Sequence, residues 1–198
     1  MATDPRRMIT ALAICAAATA GELVGGGLTH SLALTADGLH SLIHVGALLV
    51  ALWGALAPGG EPDTPSETAS INALVVIALS VVLGVESLAR IGAPEPVMYG
   101  PAILLTVFGL GANLATVVAL GRGRHDDLNH RAALLHMVGD AAVAVLAIIG
   151  LSAGWLFGWA WADPAAGLAG AVVLVLIGVR LLRRTLGGSV SPTASDRS

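Results

Sequence analysis

Six long apolar stretches divide the chain, separated by short polar or Gly- and Pro-containing segments. They run over about residues 8–28, 31–56, 70–90, 98–120, 131–155 and 163–183. An α-helix needs about 20 apolar residues to cross the hydrocarbon core of a bilayer, so each stretch predicts one membrane span. The second is long and predicts a capping turn near Thr29. A β-barrel would instead need strands of about 10 residues with strict in–out alternation. Ala73–Val81, ALVVIALSV, is continuously apolar. The first stretch follows Arg6 and Arg7 as a signal peptide would. It continues through Glu22 without a clean cleavage site, which predicts a retained helix.

Composition supports this reading. Of 198 residues, 56% are hydrophobic and 12% charged, and mean hydropathy is +0.83. A soluble domain averages about 25% charged residues. The chain therefore cannot clothe a water-facing surface, which excludes a disordered protein and a typical cytosolic enzyme. The 25 Gly and 9 Pro suit close helix packing in lipid. The single cysteine, Cys15, excludes an intrachain disulfide and any multi-Cys metal site. The net charge of −3 gives no reason to expect a nucleic-acid partner. The expected fold is an all-α membrane protein with a six-helix domain over residues 1–185. A short polar, disordered tail would follow over 186–198, with no cytosolic domain beyond it.

All ten basic residues are Arg, and nine of the ten fall at the two termini or around the fourth connection; Arg90 is the exception. Positive residues stay on the cytoplasmic side, so both termini are expected there in a multi-pass protein of the cell membrane. Trp155, Trp159 and Trp161 would then form an aromatic belt at the outer end of the last two spans.

Ionisable groups inside a span are costly and mark function. The second span carries Asp37, His40 and His44, and the fifth carries His136 and Asp140. At about 100° per residue, His40 and His44 lie about 40° apart, with Asp37 on the same stripe. His136 and Asp140 repeat the i, i+4 spacing. Two such pairs facing each other supply four ligands, the number a tetrahedral zinc site uses. Glu22 reads first as a hydrogen-bonding group between helices and second as a group lining a path. Asn72, Asn113 and Asn129 read as interhelical hydrogen-bond partners. His125, Asp126 and Asp127 read as a solvated loop, or as a weak ion-collecting mouth.

Three blocks of sequence resemble the transmembrane domain of the cation diffusion facilitator family. Gly21–His44, GELVGGGLTHSLALTADGLHSLIH, is similar to the end of that family's first helix and its second. Leu128–Asp140, LNHRAALLHMVGD, is similar to the start of the fifth. Gly158–Leu181, GWAWADPAAGLAGAVVLVLIGVRL, is similar to the sixth, with its Ala-Asp-Pro entry. The resemblance implies a homodimeric, proton-coupled exporter of divalent transition metals, chiefly zinc, with cobalt, cadmium or nickel as other cargoes. Carried over by position, the transport site is His40, His44, His136 and Asp140.

Two departures stand out. The family's usual carboxylate at the second position of the helix-two pair is His44 here, leaving three imidazoles and one carboxylate. That set suits zinc, cobalt, nickel and copper better than manganese or magnesium. Asp37 is placed to orient His40 or to join the site, or else serves helix packing. The chain also ends soon after the sixth span, where relatives continue into a cytosolic metal-binding domain. A non-transporting metal-sensing or assembly subunit is therefore the main alternative. A membrane-embedded metallohydrolase is a weaker one, since no His-Glu-x-x-His motif and no general base accompany the pairs.

Overall fold

The computed structural model describes the backbone of residues 5–56, 65–120 and 128–188; the side chains of residues 128–140 lie outside the described set. The expected loop His125–Asp127 and the tail beyond residue 188 also lie outside the described residues. The described elements are six helices: α1 Pro5–Thr29, α2 Leu32–Leu56, α3 Pro65–Gly92, α4 Tyr99–Leu120, α5 Leu128–Phe157 and α6 Ala162–Gly188. Among the described residues there is no strand. Helices satisfy every backbone group internally, as a hydrocarbon solvent demands. Five are long and apolar enough to cross a membrane; the described apolar part of α5 is the shorter Val143–Phe157. Large apolar side chains such as Val24, Leu28, Val82, Phe108 and Val118 are exposed around the bundle, where lipid is their solvent. The chain is an all-α, multi-pass membrane protein.

α2 is the hub and packs against each of the other five helices. Its stripe Leu32, Ala36, Leu39 and Ile43 joins Val76 and Leu83 of α3 with Ala171 and Leu174 of α6 in one core. A second core sets Ala33 and Leu34 against Ala102 of α4, Ala147 and Leu151 of α5, and Ala166 of α6. α6 approaches α2 closely because it presents glycine there. A Cβ on Gly167 would meet Leu32 Cβ at 2.8 Å, and one on Gly170 would meet Ala36 Cβ at 2.7 Å. Small residues at such crossings let van der Waals packing replace the missing hydrophobic drive in lipid.

The α1–α2 turn shows why these two long helices separate where they do. His30 takes φ 57°, the left-handed conformation that ends helices. Its N–H donates to the Gly27 carbonyl, and the Ser31 N–H donates to the Gly26 carbonyl at 3.0 Å. Ser31 then caps α2, accepting from the Leu34 N–H at 3.0 Å. The cap thus falls two positions beyond the expected Thr29, whose hydroxyl donates back to the Gly25 carbonyl within α1.

The remaining α2 donors are satisfied from α6. Asp163 Oδ2 accepts from the Leu32 N–H at 2.9 Å, and Oδ1 accepts from the Ala33 N–H at 3.3 Å. Arg90 of α3 fastens the same turn from the other side. It donates to the His30 carbonyl at 3.0 Å and pairs with Glu86 at 2.8 Å and Glu95 at 3.2 Å. The Met98 N–H donates to the Thr29 carbonyl at 2.9 Å. The end of the bundle with the three short connections is therefore clasped by polar contacts from four segments. Trp159 and Trp161 stack at that same end, with ring centroids 5.6 Å apart.

Candidate metal centre

The stripe of α2 that packs on α3 and α6 leaves Asp37, His40 and His44 about 100° away around the helix. His40 is 1% exposed and His44 half-buried. Their imidazoles meet edge to face, with ring centroids 5.1 Å apart and an interplanar angle of 79°. The helical spacing thus brings these two expected ligands together, one turn apart. Asp37 is fully buried one turn closer to the clasped end.

His136 and Asp140 stand on α5, a helix that packs against α2. Their side chains lie outside the described residues, as does that of Asn129. Among the described residues no three His, Cys, Asp or Glu side chains converge on one ion position. Two imidazoles are half of the four donors that a tetrahedral zinc ion takes.

α1 presents its own polar row to α2. Cys15, Thr19 and Glu22 follow an i, i+4, i+7 spacing and are all buried. The Cys15 thiol donates a long contact to the Ser41 carbonyl, Sγ to O 3.9 Å. Glu22 is 1% exposed. Its Cβ lies against Gly38 of α2, where an added Cβ would come within 3.1 Å. Its carboxylate fills the space that a Cβ on Gly109 of α4 would take. On α2, Ser41 lies within hydrogen-bonding reach of it and His44 close enough to act on its charge. The Ser41 hydroxyl lies alongside, yet neither Oε atom completes a hydrogen bond of normal length and angle among the described residues. Glu22 thus lies beside the Ser41 hydroxyl of α2, across the helix interface as expected, in a seat that Gly38 and Gly109 leave open. Behind it, a cavity of about 370 Å³ opens between α1 and α4, lined by Ile14, Ala18, Gly21, Leu105 and Phe108.

Of the expected interhelical asparagines, Asn72 of α3 donates to the Ile43 carbonyl of α2 at 3.5 Å, directly beside His44. The clasp residues Asp163, Ser31 and Arg90 carried no expectation of a site role. Asp163 was visible only as part of an Ala-Asp-Pro entry to α6, a position that ordinarily caps its own helix.

The chain matches the family described as the cation efflux transmembrane domain over residues 8–64 and 66–187. It is 33% identical over 191 residues to the zinc transporter ZitB of Escherichia coli, covering 91% of this chain and 61% of that protein. It is 31% identical over 192 residues to the metal cation efflux system protein CzcD of Cupriavidus metallidurans, covering 92% and 58% respectively. A cadmium, cobalt and zinc/H(+)-K(+) antiporter of Bacillus velezensis is 29% identical over 177 residues, covering 83% of this chain and 56% of that protein. The chain spans about 60% of the length of these relatives, whose names are those of transporters and not of enzymes. With a family match along nearly all of its described helices, the chain belongs to the cation efflux transmembrane domain family.

Proposed function

We propose that this chain exports divalent transition-metal cations from the cytoplasm, zinc above all, in exchange for protons. The observation that carries this reading is the His40–His44 pair, one imidazole buried and one half-buried, on the central helix of a cation efflux bundle. In the proposed site these imidazoles are joined by His136 and Asp140 of α5. Cobalt, cadmium and nickel are the other cargoes such donors accept. The names of the relatives, which include zinc transporters and one metal/proton–potassium antiporter, support the same cargo class.

Imidazole binds metal only when neutral, so loading the site releases protons. In the proposed cycle a metal enters between α2 and α5 from the cytoplasmic side. A rearrangement of the helices exposes the site outward, and external protons return to the imidazoles and expel the ion. The working form is a homodimer in the cell membrane with both termini cytoplasmic, the orientation favoured by the arginine distribution.

Metal-resolved uptake into inside-out vesicles, driven by an imposed pH gradient, tests this reading. The expected result is gradient-dependent accumulation of Zn²⁺ exceeding that of Mn²⁺ and Mg²⁺. Metal binding without accumulation of any ion would identify a sensing subunit instead.

A further inference from the structure

A divalent ion held by three neutral imidazoles and one carboxylate keeps one uncompensated positive charge. In a bundle surrounded by lipid that charge is costly. On α1, a buried carboxylate has the opposite imbalance. Among the described residues Glu22 has the Ser41 hydroxyl beside it but no hydrogen bond of normal length and angle, and no Arg shares its surroundings. A buried, ionised carboxylate left in that condition is expensive unless a cation shares its surroundings.

The seat of Glu22 is specific. Gly38 lies under its Cβ, Gly109 leaves room for its carboxylate, and on α2 Ser41 lies beside it with His44 near enough to act on its charge. We propose that Glu22 of α1 is the counter-charge of the metal-loaded centre, its carboxylate facing His44 and neutralising the charge that Asp140 leaves over. Glu22 acts through His44 and is a positioning residue rather than a direct ligand. The inference rests on the metal-binding reading above. It adds to the α2 and α5 donors a contribution from α1.

The test uses the full chain in lipid nanodiscs, with Zn²⁺ affinity read by competition against a fluorescent chelator. The variants are Glu22→Gln, Glu22→Asp, Asp37→Asn and the double variant Glu22→Gln/His44→Asp. Glu22→Gln keeps the shape and removes the charge, and is expected to weaken Zn²⁺ binding by about 10- to 100-fold. Glu22→Asp should stay within about 3-fold of the parent, since it keeps the charge and loses one methylene. The double variant, which moves the carboxylate onto α2, should regain most of the lost affinity. Asp37→Asn should cost less than Glu22→Gln.

A purely structural role predicts the opposite pattern in the metal-free protein. Removing a buried charge without hydrogen bonds should leave the thermal midpoint of metal-free Glu22→Gln unchanged or raised. A structural carboxylate would lower it. Parental affinity in Glu22→Gln, or a loss that His44→Asp does not restore in a folded protein, overturns this inference alone. Absence of Zn²⁺ binding by the parent chain would contradict both it and the metal reading.

Discussion

The Ser31 hydroxyl at the start of α2 donates a 2.6 Å hydrogen bond to Asp163 Oδ1 at the start of α6, 132 residues later. The same carboxylate, 1% exposed, accepts from the first two N–H groups of α2. It caps the buried start of a neighbouring helix, and its negative charge sits at the positive end of the α2 dipole. α2 is thereby anchored at one end, with His40 and His44 two to three turns along it.

Asp163→Ala should destabilise the bundle by about 3 kcal/mol, because two buried α2 donors and the Ser31 hydroxyl lose their acceptor together. Ser31→Ala, which removes one cap, should cost about 1 kcal/mol. Unfolding by denaturing detergent in mixed micelles measures both. Equal losses would show that the cross-helix contact adds nothing to the local cap.

His30→Gly should leave stability unchanged or raise it by about 1 kcal/mol, since glycine adopts the left-handed φ of 57° without a Cβ penalty. The side chain it removes makes only an exposed 3.7 Å contact with Glu95, and such pairs are weak. The same unfolding assay reads the change. A loss above about 1 kcal/mol would mean that the Glu95 contact matters more than the backbone.

Gly109→Ala places a methyl group where the Glu22 carboxylate lies and should push that flexible side chain aside. Stability should change by less than about 1 kcal/mol, because alanine also improves helix propensity. Zn²⁺ affinity should nevertheless fall several-fold. A parental affinity in Gly109→Ala would place the carboxylate's seat outside the working site.

His44→Asp exchanges an imidazole for a harder oxygen donor and should raise Mn²⁺ binding relative to Ni²⁺ and Co²⁺. Competition titrations with these three ions measure the ratio. An unchanged ratio would show that His44 does not touch the ion.

The spans were legible because apolar run length alone specifies helices in lipid. The six observed helices begin and end within a few residues of the expected ones, with the largest differences at the start of α3 and the end of α6. The His40–His44 contact was legible because its geometry is set by one helix's own periodicity. Asn72 was legible as an interhelical donor for the same reason that any buried amide needs a partner. Asp163 was not, since its acceptor role depends on a turn far away in sequence. The seat of Glu22 was hidden likewise, because it depends on glycines from α2 and α4 meeting around it. Local pattern shows which groups are out of place in lipid; only the packing of helices shows what each of them faces.

The most direct test of the central claim is metal-driven proton movement in proteoliposomes, comparing the parent chain with His136→Ala/Asp140→Ala. The account predicts that Zn²⁺ drives proton flux in the parent and that the double variant, folded and inserted to the same extent, shows none. Undiminished Zn²⁺-driven flux in the double variant would contradict a transport site shared between α2 and α5.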